Sequence, residues 1–364
     1  MVPLLKTIQK SKKLELQLYA TGIHLMPKFG MTIREVGSIF PAVKKIDATF
    51  KSDNRSGMAE FSGEFLSKVV EAFERDEPDF VLTLGDRPEM LCVATACLYL
   101  GIPTAQVHGG EKTFTVDELA RHAITKLSHL HFPATSESAE RIKKMGEEPW
   151  RICVVGAPAL DTILNEELPS RNELFEYLKL NPKEKLILVL QHPVSEEWEA
   201  AGKQMKATLS AVKTFGLPVA AIYPHADAGG RKIIQAISRE RGNPLFRIFP
   251  SISHKMFLAL ERESSVMVGN SSAGMVESAS FKIPVVNIGA RQRGRQHGKN
   301  VIHVGHGQDA IQYAINRSLN DSAYRRGLKK VVNPYGDGQA SERIVKILER
   351  LKLDKRLLMK QIAY

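Results

Sequence analysis

Short apolar segments alternate with longer amphipathic ones along most of the chain. Apolar residues spaced three and four apart predict helices at residues 1–13, 58–75, 90–100 and 116–129. Short apolar or alternating runs predict strands at residues 14–20, 80–84, 104–107, 152–156, 186–190, 218–223, 246–249, 266–268 and 285–288. Strands that alternate with helices in this way favour a parallel, doubly wound sheet.

The alternation of strands and helices is interrupted once and then restarts. Ala157, Pro158 and the polar residues 165–172 mark a predicted domain boundary. We therefore predict an α/β protein with two Rossmann-like domains facing each other across a cleft, the glycosyltransferase-B type of architecture. The predicted domains are residues 1–164 and 165–340, followed by a C-terminal helix in 341–364 that packs back towards the first domain. The opening segment is typical of a helix that follows a strand, so we expect the first strand of the N-terminal domain to be missing.

The composition is that of a globular protein, with 25% charged and 43% apolar residues in a chain of 364. No apolar run approaches the ~20 residues of a membrane span, and the start lacks a signal-peptide pattern. We therefore expect a cytoplasmic protein that does not bind membranes. Cys92, Cys97 and Cys153 are not spaced like metal ligands, so we expect neither a metal site nor a disulfide framework.

The formal net charge of +11 raises the question of an anionic partner. Lysine and arginine are scattered through amphipathic segments, without the basic tract or interleaved aromatic residues of a nucleic-acid surface. A basic cleft for an anionic small substrate, together with solvated basic faces, explains the charge more economically. We therefore predict no nucleic-acid partner.

The segment VGNSSAGMVESASFKIPVVN at residues 268–287 reads as a strand, a tight polar turn and a helix start. Backbone N–H groups at a helix start, the Asn270 amide and the hydroxyls of Ser271 and Ser272 suit a phosphate or pyrophosphate. Glu277, further into the predicted helix, is placed to reach a ribose diol. The alternative is an ordinary strand-to-helix turn capped by Asn and Ser.

Titratable side chains follow the predicted strands of the first half. Asp86 and Arg87 end one strand, His108 and Glu111 follow the next, and Asp117 opens the helix after that. Ligands bind beyond the carboxyl ends of strands in such sheets, so these carboxylates are candidates for proton transfer, and Arg87 and His108 for substrate binding. The alternatives are a local pair between Asp86 and Arg87 and, for Asp117, a helix N-terminal charge.

Three further candidates follow strands of the second half. His192 follows the strand at 186–190 and is a candidate to donate a hydrogen bond to a phosphate or to act as a proton shuttle. Asp227 lies in a glycine-containing turn, and Arg291 and Arg295 bring positive charge to the loop after the strand at 285–288. A strand-end cap for His192 and a solvated basic loop for residues 291–299 are the alternatives.

Taken together, these segments resemble the UDP-N-acetylglucosamine 2-epimerase family, most closely its hydrolysing branch. The matching segments, in chain order, are GIHLMPKFGMT (22–32), GDR (85–87), HGGEKT (108–113), RHAITKLSHLHF (121–132), VGAPALD (155–161), QHPVSEE (191–197), ADAGGR (226–231), GNSSAGMVE (269–277), RQRGR (291–295) and YGDGQASERIVKIL (335–348). The resemblance covers nearly the whole chain in order. Gln106 and His225 depart from it, because many relatives have histidine and asparagine there.

The resemblance implies an elimination of UDP from UDP-N-acetylglucosamine, followed by addition of water to give free N-acetylmannosamine for sialic acid biosynthesis. It implies no cofactor and no metal, and a homodimer or homotetramer. By motif position, the residues fall into carboxylates for proton transfer (Asp86, Glu111, Asp117), phosphate ligands (Arg87, His192, Ser271, Ser272, with Arg291 or Arg295) and a ribose ligand (Glu277). The alternatives are a UDP-diacetamido-trideoxyhexose as substrate, or a catalytically impaired UDP-sugar-binding protein that lacks the first strand and its loop.

Overall fold

The structure, a computed structural model, describes residues 1–48, 52, 54–225 and 227–363. Ala226 of the predicted glycine-containing turn and Tyr364 of the predicted C-terminal helix lie outside the described residues. The chain forms two α/β domains with parallel sheets that face each other across a cleft, as the alternating pattern predicts.

The first domain alternates short strands with helices from the start of the chain. Its helices are α1 (Val2–Lys10), α2 (Ile33–Ile39), α3 (Arg55–Asp76), α4 (Pro88–Leu100), α5 (Val116–Leu127), α6 (Ser136–Lys144) and α7 (Pro158–Asn165). Its strands are β1 (Tyr19–Thr21), β2 (Lys44–Ile46), β3 (Val81–Leu84), β4 (Thr104–Val107) and β5 (Leu130–Phe132). The strands form two separate parallel sheets, β1 with β2, and β3, β4 and β5 in that order.

Two strand predictions in this domain are wrong in extent. The predicted strand at 14–20 is paired only from Tyr19 onward, whereas Leu14 and Leu16 pack against a hydrophobic cluster without a ladder. The predicted strand at 152–156 contributes a single bridge, between His131 and Ile152. Apolar alternation indicates that one face of a segment packs against the protein. Leu14 and Leu16 do so without pairing to a strand, and residues 152–156 meet β5 at one bridge only.

The second domain has one continuous sheet. Its helices, with those at the end of the chain, are α8 (Arg171–Leu178), α9 (Ala201–Lys213), α10 (Gly230–Ser238), α11 (His254–Glu263), α12 (Ala273–Val276), α13 (Ser278–Phe281), α14 (Gln308–Asn320), α15 (Ser322–Leu328), α16 (Ala340–Leu348) and α17 (Lys355–Leu358). Its strands are β6 (Ile187–Leu190), β7 (Val219–Ile222), β8 (Phe246–Phe249), β9 (Val266–Gly269), β10 (Val285–Ile288) and β11 (Val301–Val304). All pair in parallel, in the order β11-β10-β9-β6-β7-β8.

Strand β6 shows why the second sheet is predictable from sequence. Its side chains alternate between two hydrophobic clusters, with Ile187 and Val189 in one and Leu188 and Leu190 in the other. A strand covered by helices on both faces must be apolar at every position, and an uninterrupted apolar run is the result. The sheet therefore lies between two helical layers, and its strand ends open into the cleft.

The end of the chain returns to the first domain and contacts helix α5. The ammonium group of Lys360 lies 3.1, 2.7 and 2.7 Å from the carbonyl oxygens of Thr125, Lys126 and Ser128, at the C-terminal end of that helix. It also pairs with the buried carboxylate of Glu147 at 2.7 Å. Positive charge at a helix C-terminus is favourable because the last carbonyl groups have no partner within the helix.

None of the helices within the described ranges is long and apolar enough to cross a membrane.

Candidate active site

The carboxylates predicted from the strand ends of the first domain do converge, and a buried arginine joins two of them. Asp86 follows β3 and Glu111 follows β4, and these strands are parallel neighbours. Arg121 of α5 is 1% exposed. Its guanidinium pairs with the carboxylate of Asp86 and donates to the backbone carbonyl of Glu111 at 2.7 Å. Arg121 therefore fixes the relative positions of the two strand ends.

Glu111 is held by side chains from both domains. Its carboxylate pairs with His108 at 2.5 Å and with the guanidinium of Arg295, which belongs to the second domain. Burial opposes ionisation of this carboxyl, but Arg295 and His108 outweigh it and hold its pKa at about 2. Glu111 is thus a fixed negative charge at neutral pH.

Asp86 and Asp117 differ in the state of their carboxyl groups. Burial would raise the pKa of Asp86, but Arg121 and then Arg295 hold it below the ordinary value. The pKa of Asp117 is raised, because the group is buried and Asp86 lies close to it. Its cationic contact is weaker, with a guanidinium nitrogen of Arg291 at 3.7 Å. Of the three carboxylates, Asp117 is therefore the one whose pKa moves towards neutrality.

The N-terminal turn of α5 places Asp117 in the cleft. Thr115 is the N-cap, and its hydroxyl accepts a hydrogen bond from the backbone N–H of Asp117 at 3.2 Å. A carboxylate of the second domain reaches the same turn, since Glu196 accepts from the backbone N–H of Val116 at 2.7 Å. Asp117 therefore lies in the first turn of a helix, as the alternative interpretation predicted, and it also lies in the cleft.

Arg87 and Asp227, both predicted to bind substrate, pair with each other across the cleft at 2.6 Å. Burial would raise the pKa of Asp227, but Arg87 lowers it below the ordinary value. The predicted local pair between Asp86 and Arg87 is not among the ion pairs of the described residues, because Asp86 pairs with Arg121 instead.

The polar turn after β9 is built differently from its prediction. The side chain of Asn270 bonds to a neighbouring strand end: its oxygen accepts from the backbone N–H of His192 at 2.7 Å, and its nitrogen donates to the carbonyl of His192 at 3.0 Å. Asn270 therefore joins the ends of β9 and β6. The hydroxyl of Ser271 accepts from the backbone N–H of Ala273 at 3.3 Å, and Ser272 is half-buried beside it.

The predicted helix after this turn is interrupted at Glu277, between α12 and α13. Burial raises the pKa of Glu277. Glu261 of α11 lies next to it, and burial, with Glu277 adding to it, raises the pKa of Glu261 well above the ordinary value. Two adjacent buried carboxyl groups cannot both carry charge, so the pair favours holding a proton. Glu277 thus lies beside the turn, as predicted, but with an acidic neighbour that the sequence pattern did not indicate.

The two candidate arginines of the basic loop have different partners. The guanidinium of Arg295 forms an ion pair with the carboxylate of Glu111. Arg291 donates to the backbone carbonyl of Asn270 at 3.3 Å and lies 3.7 Å from Asp117, so it has donors close to both the turn and a carboxylate. Arg293 points elsewhere, with its guanidinium 5.5 Å from the ring of Phe114, and is exposed, as is Lys299. The solvated-loop alternative therefore holds for Arg293 and Lys299.

His192 is 4% exposed, and its imidazole stacks on that of His225. Burial, and after it His225, Arg291 and Arg87, put the pKa of His192 well below the ordinary value. The sequence signal of a histidine at a strand end predicted its place, but the role of His225 was missed.

Arg121 and Glu261 were also missed as site residues, because each is distant in sequence from the group that it contacts. A buried charge at an inward position of an amphipathic helix is the signal that could have found both.

The family model described as UDP-N-acetylglucosamine 2-epimerase matches residues 6–349 of the chain. A Legionella pneumophila protein named UDP-N,N′-diacetylbacillosamine 2-epimerase (hydrolyzing) is 37% identical over 361 residues, which covers 99% of this chain and 94% of that protein. A Neisseria meningitidis UDP-N-acetylglucosamine 2-epimerase is 34% identical over 319 residues, covering 86% of this chain and 83% of that one.

Solved structures show the same fold. The crystal structure of UDP-GlcNAc 2-epimerase from Neisseria meningitidis bound to UDP-GlcNAc matches with a TM-score of 0.76 and 20% identity, over 96% of both chains. The Methanocaldococcus jannaschii UDP-GlcNAc 2-epimerase in complex with UDP-GlcNAc and UDP matches with a TM-score of 0.78 and 19% identity, also over 96% of both. At these identities the match establishes the two-domain architecture.

Proposed function

Because the chain belongs to the UDP-N-acetylglucosamine 2-epimerase family, we propose that it is a hydrolysing UDP-sugar 2-epimerase. Its substrates are a UDP-linked 2-acetamido sugar and water, and its products are UDP and the free sugar with inverted configuration at C2. The relatives named as hydrolysing enzymes support the hydrolytic outcome.

The reaction divides into an elimination and an addition. A base removes the C2 proton, the C2–H electrons form a C1–C2 double bond, and the C1–O bond breaks with its electron pair leaving on UDP. Water then adds its oxygen to C1, and a proton is delivered to C2 from the other face. The site must therefore move protons at C2 and stabilise the departing diphosphate.

The observation that carries the proposal is the unequal pairing of the three carboxylates. Asp86 and Glu111 are each paired with an arginine and held ionised, whereas burial and Asp86 raise the pKa of Asp117. A group that transfers protons works best when its pKa lies near the operating pH. We therefore assign removal of the C2 proton to Asp117, and the orientation of the sugar and the stabilisation of positive charge at C1 to Asp86 and Glu111. The proton that arrives on the other face of C2 comes from the water that adds, which gives its hydroxyl to C1 and its remaining proton to C2.

The second domain supplies the groups for UDP. Arg291 has donors near the polar turn, whereas Arg295 is occupied by Glu111, so we assign the diphosphate to Arg291 with Ser271 and Ser272. His192 adds a ring at the same strand end. Glu277, beside the turn, is assigned to the ribose. The pair of Arg87 and Asp227 crosses the cleft where a bound nucleotide sugar would lie between the domains.

For the sugar, we propose UDP-N,N′-diacetylbacillosamine as the preferred substrate. The Legionella pneumophila relative carries that substrate in its name. A Campylobacter jejuni protein named GDP/UDP-N,N′-diacetylbacillosamine 2-epimerase (hydrolyzing), 34% identical over 299 residues that cover 81% of this chain and 78% of that protein, supports the same sugar. UDP-N-acetylglucosamine is the second candidate, favoured by the Neisseria meningitidis relative.

Proton NMR in deuterated water with each UDP-sugar in parallel tests both parts of the proposal. We expect release of UDP together with a free 2-epimeric sugar that carries deuterium at C2, faster for the diacetamido substrate. The Asp117→Asn variant serves as the inactive control. A deuterated UDP-linked epimer without free sugar would contradict hydrolysis, and faster turnover of UDP-N-acetylglucosamine would reverse the substrate order. If neither substrate changes while UDP binds in a calorimeter, the chain is a UDP-sugar-binding protein.

A further inference from the structure

Two histidines are stacked at the cleft edge of the second sheet. His192 follows β6 and His225 follows β7, and because these strands are parallel neighbours their ends lie side by side. The ring centroids are 4.2 Å apart, and the ring planes are inclined by only 6°. The stack leaves the His192 ring little freedom to rotate.

A backbone hydrogen bond defines which nitrogen of His192 carries its proton. The backbone N–H of His225 donates to Nδ1 of His192 at 3.2 Å. A backbone N–H can only donate, so Nδ1 must present a lone pair, and the proton of the neutral ring must lie on Nε2. No side chain of the described residues accepts a hydrogen bond from this Nε2–H.

The main chain of His192 is fixed as well as its ring. Asn270 accepts from the backbone N–H of His192 at 2.7 Å and donates to its carbonyl at 3.0 Å. The residue is therefore held by β9 through its backbone and by the segment after β7 through its ring. A donor fixed in this way needs no reorganisation when charge develops near it.

The charges around the pair disfavour a second proton. Burial, and then His225, Arg291 and Arg87, lower the pKa of His192 well below the ordinary value. Burial, and then Arg87 and Arg291, lower the pKa of His225 to about 4, against the opposite influence of Asp227 and Asp86. Protonation of His192 would also replace the Nδ1 lone pair that accepts from His225. Both rings are therefore neutral at neutral pH.

We propose that His225 is a positioning residue that holds His192 as a permanently neutral Nε2–H donor facing the cleft. Under the proposed function, on which this step rests, the donor serves the departing diphosphate, and His192 does not transfer a proton. The hypothesis of a His192 proton shuttle is replaced by one of a fixed hydrogen-bond donor.

Nitrogen-15 NMR of the whole protein labelled at histidine tests the tautomer directly and needs no turnover. The His192 ring is assigned by its loss in His192→Asn. We expect one bare Nδ1 and one protonated Nε2, unchanged between about pH 5.5 and about 8, the range in which an ordinary histidine titrates. A ring protonated on Nδ1, or one that titrates in this range, would overturn the proposal whether or not the enzyme turns over a UDP-sugar.

Two substitutions at His225 separate the ring from the backbone contact. His225→Phe keeps a stacking ring and the backbone N–H, so we expect an unchanged His192 tautomer and kcat within about threefold of the parent. His225→Ala removes the stack, and we expect kcat to fall on the order of tenfold because the donor is no longer held in place. His303→Ala, which removes the exposed partner of another histidine pair, is the control.

The outcomes are distinguishable from failure of the proposed function. Loss of activity in His225→Ala with a more mobile His192 ring and an unchanged far-ultraviolet circular dichroism spectrum supports positioning. An unchanged His192 spectrum and unchanged UDP affinity in His225→Ala would show that the stack contributes nothing and would refute it. If the alanine variant does not fold, the phenylalanine variant decides, because a His192 that becomes protonated there contradicts a neutral state set by backbone and stacking.

Discussion

The first-domain face of the cleft carries ionised groups in pairs, whereas the second-domain face around β6 and β9 presents groups held by neutral hydrogen bonds. Glu111 and Asp117 both meet an arginine of the other domain, Arg295 and Arg291. His192, by contrast, is fixed within its own domain by Asn270 and His225. The turn and strand-end groups proposed for the diphosphate are therefore fixed within the second domain, whereas the carboxylates proposed for proton transfer meet their arginines only where the two domains touch.

We expect the largest loss of activity from a change at Asp117, the first-domain carboxylate with the weakest ion pair. Asp117→Asn removes the group assigned to proton transfer, and we expect kcat to fall by about 10² to 10⁴, the usual contribution of a positioned acid or base. UDP affinity measured by calorimetry should change little, because the turn and strand-end groups proposed to bind the diphosphate belong to the second domain. Asp309→Asn, also in the first turn of a helix, is the control. Retention of kcat in Asp117→Asn would assign the proton to another residue.

Breaking the pair across the cleft at Arg295 should cost stability as well as activity. Among the described residues, Arg295→Met leaves His108 as the one ion-pair partner of the buried Glu111 carboxylate, so we expect the free energy of unfolding in urea to fall by about 3 kcal/mol at neutral pH, the lower end for a broken buried pair. The folded-state pKa of about 2 lies below that of the unfolded chain, so the pairing stabilises above the unfolded value and is lost as pH falls. The difference between parent and variant should therefore shrink in acid.

Arg293→Met is a matched control for this prediction, because it removes a neighbouring arginine of the same loop that lies over Phe114 instead of a carboxylate. We expect less than about 1 kcal/mol from it. An equal loss in both variants would mean that the loop, and not the ion pair, provides the stability.

The pH dependence of kcat/KM tests whether Asp117, whose pKa is raised, is the group that titrates during turnover. If Asp117 acts as the base, kcat/KM falls as pH decreases through its raised pKa. Arg291, and after it Arg87, are the positive groups that oppose this rise. Arg291→Gln should therefore raise the pKa of Asp117 further and move the acidic limb to higher pH, besides weakening UDP binding. The same limb in parent and variant would show that another group controls it, and Arg293→Gln should leave it in place.

The smallest effect is expected at Glu196, a second-domain carboxylate that reaches the first turn of α5. It is exposed, and its bond to the backbone N–H of Val116 is 2.7 Å long. Glu196→Ala should lower kcat only severalfold, since one such hydrogen bond contributes about 0.5–1.5 kcal/mol. Glu196→Gln, which keeps an acceptor, should recover most of it. If Glu196→Ala lowered kcat as much as Asp117→Asn does, the contact between the domains would matter as much for turnover as the proton-transfer group.

The sequence predicts the places of the site residues better than their partners. Asp86, Glu111 and His192 follow buried strands, and the carboxyl ends of parallel strands share one edge, so their convergence follows from the pattern. The contact of Glu111 with Arg295 joins residues 184 positions apart and depends on how two domains meet. The periodicity of a local segment carries no information about a contact between two domains.

The errors of the sequence interpretation have similar physical causes. Strands β2, β5 and β11 were missed because a lysine or a histidine interrupts the apolar run in each of these short segments. Asn270 was given to the ligand because an asparagine in a polar turn has the same sequence signal whether its amide binds a phosphate or a neighbouring backbone. The break at Glu277 was missed because the residues around it favour a continuous helix.

Lys360 has a consequence for how the enzyme is made. It binds the last carbonyl groups of α5, the helix whose other end carries Asp117, and it does so across 235 positions of sequence from Thr125. Synthesis proceeds from the N-terminus, and domains fold as they emerge from the ribosome. The helix that carries Asp117 therefore obtains this contact only after residue 360 has been added, so a nascent chain that has already folded its first domain still lacks the Lys360 charge at the C-terminal end of α5.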